Sequence, residues 1–333
     1  MKILKFIVIH YKNVFIFPFW FFLFCLSQIY KYIVIKKRKN GYKNKVSGVK
    51  IISIGNITLG GTGKTEFVMF LIKLLKSETG VVLRGYKKKN KSKAVEVLKD
   101  SSALLVGDEP LMIKQKTDVP VFVASSRIDG VKALKEKYRV KRIILDDGFQ
   151  HFNIKRDINI VLIDYTNPFG NNHLIPAGFL REPVSSLKDA DLAVITKYDE
   201  EYSVKHKKQD IENIIKKYNR KIKILYSRYI PDFNYKKFKN KKIIIFSALA
   251  NNEYFLFLVK KYLEPIDLKI FTFPDHYLYN ENDLKKIFRY FKSNNFNYIF
   301  TTEKDIVKIK NRKGINVFKI KFKLISGQEF LNF

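Results

Sequence analysis

Short apolar runs alternate along this chain with segments whose apolar residues recur at helical spacing. The clearest pair is a run at 51–54 followed, after a glycine-rich turn, by a helical face formed by Phe67, Phe70, Leu71, Leu74 and Leu75. Further strand-like runs lie at 81–83, 119–124, 142–145, 158–163 and 192–195, with a helical pattern at 127–138. Because buried strands that alternate with helices form a parallel sheet covered on both faces, we predict an α/β fold.

The alternation is interrupted and then resumes. Residues 202–240 are dense in lysine and asparagine, which indicates a linker region with some helix. Strand patterns at 243–246, 268–273 and 298–300 and helical patterns at 254–263 and 283–291 follow. We therefore predict a P-loop NTPase-like domain over 41–201, the linker over 202–240, and a smaller C-terminal α/β domain over 241–333.

The N-terminal segment, residues 1–40, has a different pattern. No charged residue occurs from Asn13 to Tyr30, and aromatic residues crowd the middle of this run. As a helix it is about 27 Å long, close to the ~30 Å hydrocarbon core of a bilayer. The basic cluster at 36–39 predicts that the following chain lies on the cytoplasmic side. We expect a membrane-associated helix, which either spans the bilayer or lies in one leaflet.

Composition narrows the class of partner. The 333 residues include 64 Lys and Arg against 31 Asp and Glu, a net charge of +33. Such a field favours anionic partners, which include acidic lipids, phosphorylated substrates and nucleic acid. The single cysteine, Cys25, excludes an intramolecular disulfide and fits a reducing compartment.

The turn after the first strand carries the strongest chemical signal. It contains Gly60, Gly61, Thr62, Gly63, Lys64 and Thr65 and opens a helix. In a phosphate-binding loop, backbone N–H groups surround a polyphosphate, the lysine neutralises it, and the threonine hydroxyl reaches Mg²⁺. Thr58 occupies the place of the first glycine in the strict pattern. The alternative is a flexible loop before an ordinary helix, which would not require Lys-Thr.

Acidic residues follow two other elements. Asp146 and Asp147 end the strand-like run at 142–145, where a carboxylate would meet the Mg²⁺ of the loop threonine. The alternative for this pair is a simple turn. Asp108 opens a helix, either as an N-cap or as a general base for a substrate hydroxyl. The sequence around Asp108 does not decide between these roles.

Several shorter motifs remain ambiguous by themselves. His151 follows the acidic pair on a loop at the same sheet edge, and His276 follows a strand of the second domain. Arg181 and Glu182 form either a functional pair or an exposed salt bridge. The stretches 196–199 (Thr-Lys-Tyr-Asp) and 247–249 (Ser-Ala-Leu) are similar to guanine-reading motifs of GTPases, although matches this short also arise by chance.

As an ordered set, these motifs resemble the tetraacyldisaccharide 4′-kinase (lipid A 4′-kinase) family over almost the whole chain. The motifs that carry the resemblance lie at 55–65, 84–86, 106–110, 146–151, 174–183, 273–276 and 302–305. Thr58 is also the family's own form of the loop. Glu66 is a departure, because many members have proline there, and it affects entry into the helix more than chemistry.

The resemblance implies a kinase that transfers the γ-phosphate of ATP to the 4′-hydroxyl of an acylated glucosamine disaccharide 1-phosphate in lipid A biosynthesis. It implies ATP and Mg²⁺ as cofactors, an inner-membrane location with catalytic domains facing the cytoplasm, and two α/β domains that close over the site. No nucleic-acid partner and no obligate protein partner are implied.

The resemblance also implies residue roles. Gly60 to Thr65 would bind the nucleotide, and Thr65, Asp146 and Asp147 would bind the metal. Asp108 would be the catalytic base, paired with His276 from the second domain. His151, Arg181 and Glu182 would lie at the nucleotide or lipid edge.

Two other classes compete with a lipid kinase. A membrane-bound GTPase or ATPase that acts as a conformational switch has the 196–199 stretch as its particular support. A nucleic-acid-binding protein rests on charge alone, without a recognisable module. Nucleotide preference and phosphate transfer to lipid separate the three.

Overall fold

The computed structural model describes residues 7–9, 15–41, 44–75, 78–85, 94–202, 207–249, 251–274 and 277–331. Three residues of the motifs above, Tyr86, Asp275 and His276, lie outside these ranges, as do the first two residues of the uncharged run, Asn13 and Val14. The chain forms two compact units, one of Met1–Ser227 with Leu324–Phe333 and one of Arg228–Lys323.

The first unit contains several helices and a long, mostly parallel sheet in which Ala94–Glu96 and Val121–Ala124 form an antiparallel pair. Its strands are β1 (Lys50–Asn56), β2 (Thr79–Arg84), β3 (Ala94–Glu96), β4 (Val121–Ala124), β5 (Arg142–Asp146), β6 (Ile158–Asp164), β7 (Leu192–Thr196) and β8 (Lys223–Pro231). The helices are α1 (Phe17–Lys39), α2 (Lys64–Leu75), α3 (Ala103–Val106), α4 (Asp108–Lys116), α5 (Arg127–Lys137) and α6 (Lys208–Tyr218).

The second unit is a smaller α/β structure. Its strands are β9 (Lys242–Ser247), β10 (Asp267–Thr272), β11 (Tyr298–Thr302) and β12 (Ile315–Phe318), and its helices are α7 (Asn252–Leu263), α8 (Glu281–Ser293) and α9 (Glu303–Ile306). The sheet order is β10-β9-β11-β12 with every pair parallel. A last strand, β13 (Ile320–Ser326), returns to the large sheet beside β8.

The order of the large sheet positions the site. It is β13-β8-β7-β6-β1-β5-β2-β4-β3, so β1 lies between β5 and β6. Successive strands fill the sheet on the β5 side of β1 first and then on the β6 side. The strand order therefore reverses at β1, and ligands of open α/β sheets bind at the carboxyl end of the strands at such a point.

Two apolar layers hold the elements of the first unit together. On one, Val131 and Leu134 of α5 pack with Ile51, Val82 and Ile143 of the sheet. On the other, Ile211 and Ile215 of α6 pack with residues of β6 and β7. The predicted α/β class and the apolar N-terminal helix are thereby confirmed.

The region predicted as a linker with some helix contains both a helix and a strand. Residues 202–240 contain α6 and the nine-residue strand β8, and the chain passes from the first unit to the second within β8. The sequence predicted some helix here but not the strand, and α6 buries a narrow face that includes Ile211 and Ile215. The strand β8 lies between β13 and its parallel neighbour β7 in the large sheet.

Candidate active site

The glycine-rich loop connects the buried strand β1 to α2 at the point where the strand order reverses. Gly60 and Gly63 have φ values of +114° and +82°, which side chains other than glycine rarely adopt. Phe67 N–H donates to the Gly63 carbonyl and closes the first turn of α2. Thr65 is buried in that turn. The predicted strand, loop and helix are all present.

Lys64 is held by the end of the strand that precedes it. Its Nζ donates to Asn56 Oδ1 at 2.9 Å, and Asn56 Nδ2 donates to the Thr58 carbonyl at 2.6 Å. The Nζ also lies 3.5 Å from Asp147 Oδ1. Asn56 therefore orients the lysine, a role that the sequence motif did not reveal.

Asp146 lies beside β1 because β5 pairs with β1 in parallel, with Ile54 opposite Asp146. Its carboxylate is buried, and Oδ1 accepts from Asp147 N–H at 2.8 Å. Burial raises the pKa of Asp146 to about 7, with smaller contributions from the negative charges of Glu109 and Asp147, against the opposing charge of Lys64. A second cation at this carboxylate would keep it ionised.

Asp147 faces a different partner. Arg181 donates from Nη1 to Asp147 Oδ1 at 2.8 Å and from Nη2 to Oδ2 at 3.0 Å. Burial acts to raise the pKa of Asp147, but the charges of Arg181, Lys64 and Arg127 outweigh it and hold that pKa well below the usual range. Arg181 also lies 3.3 Å from Asn56 Oδ1, so strand β1, the acidic pair and the 181 loop form one network.

The site offers some of the oxygen ligands that a hard divalent cation requires. The Thr65 hydroxyl and the Asp146 carboxylate are the kind of ligand that Mg²⁺ takes together with substrate phosphate oxygens. Each carboxylate oxygen of Asp147 accepts from Arg181 and keeps a second lone pair, so the predicted metal role of Asp147 stays a prediction. Within the described ranges no group of three or more His, Cys, Asp or Glu side chains is arranged to bind a metal.

A buried arginine that the sequence did not single out lies behind the acidic pair. Arg127, the first residue of α5, is 2% exposed, and its Nη2 donates to the Asp146 carbonyl at 2.8 Å. Its Nε and Nη1 are buried and have no hydrogen-bond partner in the described part of the chain. The sequence feature that could have identified Arg127 is its position at the start of α5. A cation there is unfavourable, because the N-terminus of a helix already carries a partial positive charge.

His151 lies in this cationic environment. Its pKa is lowered to about 4, first by burial and then by the charges of Arg127, Arg156 and Arg84. The imidazole is therefore neutral at neutral pH, and its buried Nε2 is without a partner among the described residues. Together, Arg127 and His151 give this side of the site unused hydrogen-bonding capacity.

Asp108 is the first residue of α4 and is exposed. The N-cap position is occupied by Gly107 at φ +96°, so Asp108 is not the cap that one interpretation of the sequence required. The charge of the next residue, Glu109, acts to raise the pKa of Asp146. His276 lies outside the described residues, so its pairing with Asp108 stays a prediction.

Glu182 faces away from the acidic pair, toward the N-terminal helix. Its buried Oε2 accepts from Arg38 Nη2 at 2.9 Å and from Ser186 Oγ at 3.0 Å. The Arg38 guanidinium also lies 4.7 Å from the centre of the Phe149 ring. Arg181 and Glu182, considered together in the sequence, thus have different ionic partners: Arg181 binds Asp147, and Glu182 binds Arg38 in a buried pair.

Two further contacts attach α1 to the same loop. Trp20 Nε1 donates to the Ala177 carbonyl at 2.9 Å, and Tyr30 OH donates to the Arg181 carbonyl at 2.9 Å. The loop in turn contacts the segment that follows β1, where Leu59 N–H donates to the Phe179 carbonyl at 2.6 Å. The N-terminal helix is thus connected through one loop to the phosphate loop.

A phosphate loop, its lysine, and a carboxylate at the end of the neighbouring parallel strand define the class of P-loop phosphotransferases and NTPases. The profile of the family described as "Tetraacyldisaccharide-1-P 4'-kinase" matches residues 19–332. This chain belongs to that family, which confirms both the resemblance found in the sequence and the prediction of a kinase.

Individual relatives agree. The chain is 33% identical to a tetraacyldisaccharide 4′-kinase of Elusimicrobium minutum, over 93% of this chain and 89% of the relative. It is 35% identical to the enzyme of that name from Wigglesworthia glossinidia brevipalpis, over 89% and 78%. It is similar to the crystal structure of LpxK from Aquifex aeolicus in complex with ATP, with a TM-score of 0.69, 27% identity, and coverage of 92% and 95%.

Proposed function

We propose that this enzyme transfers the γ-phosphate of ATP to the 4′-hydroxyl of a tetraacyldisaccharide 1-phosphate at a membrane surface, with Mg²⁺ as the metal. The observation that carries the proposal is the position of Lys64, which lies between the glycine loop and the acidic pair of the neighbouring strand. Phosphoryl transfer is accelerated by positive groups placed where negative charge develops, on the transferred phosphoryl group and on the leaving oxygen.

In this proposal the residues 60–65 cradle the triphosphate. The loop N–H groups and the N-terminus of α2 face its charge, and Lys64 neutralises the oxygens of the transferred group. Thr65 and Asp146 would hold Mg²⁺, which on binding would neutralise charge that develops on the phosphates. Asp147, held by Arg181, would contribute its charge to the metal site and keep Lys64 directed toward the nucleotide.

Asp108 would accept the proton of the 4′-hydroxyl. Its carboxylate is exposed at the start of α4, beside Glu109, whose charge acts on the pKa of Asp146. His276 would hold Asp108 in position, as the family resemblance implies. Such a base typically contributes ~10²–10⁴-fold to the rate.

The lipid end of the substrate would approach along α1. Its exposed apolar side chains include Phe17, Phe19, Phe21, Phe22, Leu26 and Ile29, whereas Trp20, Ser27 and Val34 face the protein. The helix is long and apolar enough to cross a membrane by length and composition alone. The exposed side chains would insert into one leaflet, and the cluster at 36–39 would bind anionic headgroups.

We propose that α1 lies in the membrane interface rather than across the bilayer. Its contacts through Trp20, Tyr30 and Arg38 extend along most of its length. A spanning orientation would carry the loop residues that contact Trp20 and Tyr30, namely Ala177 and Arg181, into hydrocarbon, at a cost of several kcal/mol. The catalytic units would then lie on the cytoplasmic face of the inner membrane.

The decisive experiment is incubation of the purified enzyme with γ-³²P-labelled ATP and the lipid disaccharide 1-phosphate in detergent micelles. Labelled lipid that depends on Mg²⁺ is the expected result. Release of labelled inorganic phosphate at the same rate with or without lipid would instead support the switch ATPase. Lys64→Ala is the negative control, and the exposed Lys73→Ala on the same helix is its matched control.

A further inference from the structure

The stretch at 196–199, similar to a guanine-reading motif, makes its contacts with the phosphate loop. Thr196 is the last residue of β7, and its buried Oγ1 donates to the Thr62 carbonyl at 2.9 Å. Lys197 follows, with Nζ 2.8 Å from the Gly61 carbonyl and paired with the Asp164 carboxylate. Both contacts join positions more than a hundred residues apart in the chain, so the sheet order produces them.

The backbone of Lys197 supports a specific role for this side chain. Lys197 has φ +58°, a left-handed conformation that costs a non-glycine residue about 1 kcal/mol or more. The residue is 7% exposed, so both its conformation and its ammonium group are fixed by the surroundings. Asp164 is fixed too, because its Oδ1 accepts from Thr166 N–H at 3.0 Å and from the Thr166 hydroxyl at 2.7 Å.

We propose that Thr196 and Lys197 are positioning residues that fix the direction of the peptide groups in the phosphate loop. In a trans peptide the carbonyl and the N–H point in opposite directions. Binding of the Thr62 carbonyl by Thr196 therefore directs the N–H of Gly63 to the opposite side of the loop. Lys197 fixes the Gly61 carbonyl in the same way.

Within the loop itself, Thr62 N–H donates to the Gly60 carbonyl at 3.2 Å, and the contacts from Thr196 and Lys197 add restraints from outside it. At Gly60 and at Gly61 the position that a Cβ would occupy has no other heavy atom within 4 Å, so the outer side of the loop is open. Glycine also loses more conformational entropy on ordering than any other residue. The hydrogen bonds from Thr196 and Lys197 hold the loop through the carbonyls of Thr62 and Gly61. The N–H that shares a peptide with the Thr62 carbonyl points away from Thr196, so this contact leaves the nucleotide side of the loop accessible.

This inference rests on the proposed role of the loop as the triphosphate cradle. The test compares Thr196→Val and Lys197→Met with wild type in the detergent assay, and measures KM for ATP, KM for lipid, kcat and ATP affinity by calorimetry. One lost hydrogen bond corresponds to a change of about 2- to 10-fold. We expect weaker ATP affinity by this factor for Thr196→Val, a larger loss for Lys197→Met, and an unchanged KM for lipid.

A matched control separates positioning from general stability. Thr301 of β11 is also a buried threonine whose hydroxyl donates to a carbonyl of the neighbouring strand, that of Phe246 at 2.9 Å. Thr301→Val should lower the melting temperature as much as Thr196→Val does, without weakening ATP binding. Equal ATP affinities for the two valine variants would overturn the proposal.

Further outcomes separate this inference from the proposed function. If Lys64→Ala keeps wild-type turnover, the role of the loop as the triphosphate cradle is wrong. If Lys64→Ala loses activity while Thr196→Val and Lys197→Met both keep normal ATP affinity, only the positioning role is rejected. If Lys197→Met changes the preference between ATP and GTP rather than affinity for both, the residue reads the base and the positioning role is rejected. Lys197→Arg, which keeps a donor near Gly61, should restore part of the ATP affinity.

Discussion

Arg181 binds Asp147 through two parallel hydrogen bonds, at 2.8 and 3.0 Å, next to Lys64 of the phosphate loop. This bidentate pair keeps Asp147 ionised and places its charge beside Lys64. It also connects the site to α1, because the backbone carbonyl of the same arginine accepts from Tyr30.

Arg181→Lys should lower kcat/KM by about tenfold or more, because a lysine keeps the charge but cannot contact both oxygens. In a cycle with Asp147→Asn, the double variant should be scarcely worse than Asp147→Asn alone. Steady-state kinetics in detergent measure this, with the exposed Arg139→Lys as control. Additive losses in the double variant would mean that the two residues act separately.

Asp108→Asn should reduce kcat by about 10²- to 10⁴-fold and leave ATP affinity near wild type. The melting temperature should change little, because the carboxylate is exposed. His276→Ala should have a smaller effect, and the double variant should resemble Asp108→Asn, because residues that act as a unit are not additive. Asp118→Asn, at another exposed carboxylate, is the control. A proportional fall in stability and turnover would indicate a structural role for Asp108.

Replacement of Phe19, Phe22 and Ile29 by serine should release the enzyme from lipid vesicles, by at least about tenfold in partition, since each apolar side chain contributes about 1.5–3 kcal/mol. All three are exposed on α1, so folding should persist. Vesicle flotation measures the partition. The control replaces Ile266, Leu278 and Val307, which are exposed apolar residues of the second unit. Equal release by the control triple would contradict a specific role for α1.

His151 should make the stability of the protein depend on pH. Its folded pKa of about 4 lies below the ordinary value of 6.5, so the unfolded chain binds more protons between these two pH values. The free energy of unfolding should therefore fall as the pH drops from 6.5 toward 4, by on the order of 1 kcal/mol after allowance for solvent screening.

The variant His151→Gln isolates this contribution, because glutamine does not titrate. Urea unfolding at pH 7 and at pH 5 should show a smaller difference for the variant than for wild type. Identical pH dependence in the two proteins would mean that the imidazole titrates equally in the folded and unfolded states.

The sequence by itself determined the features that depend on neighbouring residues. Strand, glycine loop and helix at 51–75, the acidic pair after β5, and the aromatic run of α1 were all predicted, because apolar periodicity and motif spacing are local properties. The ordered motifs also identified the family without any contact information.

Only the tertiary structure decided which side chains meet. Arg181 lies 34 positions from Asp147, Lys197 lies 136 from Gly61, and Arg38 lies 144 from Glu182. Such pairs arise from the strand order around β1 and from the docking of α1, and no local pattern encodes either. For the same reason Arg127 looked like an ordinary helix start, and the 196–199 stretch looked like a base-reading motif. The physical cause is that charge pairing and burial depend on three-dimensional neighbours, whereas periodicity depends only on the adjacent chain.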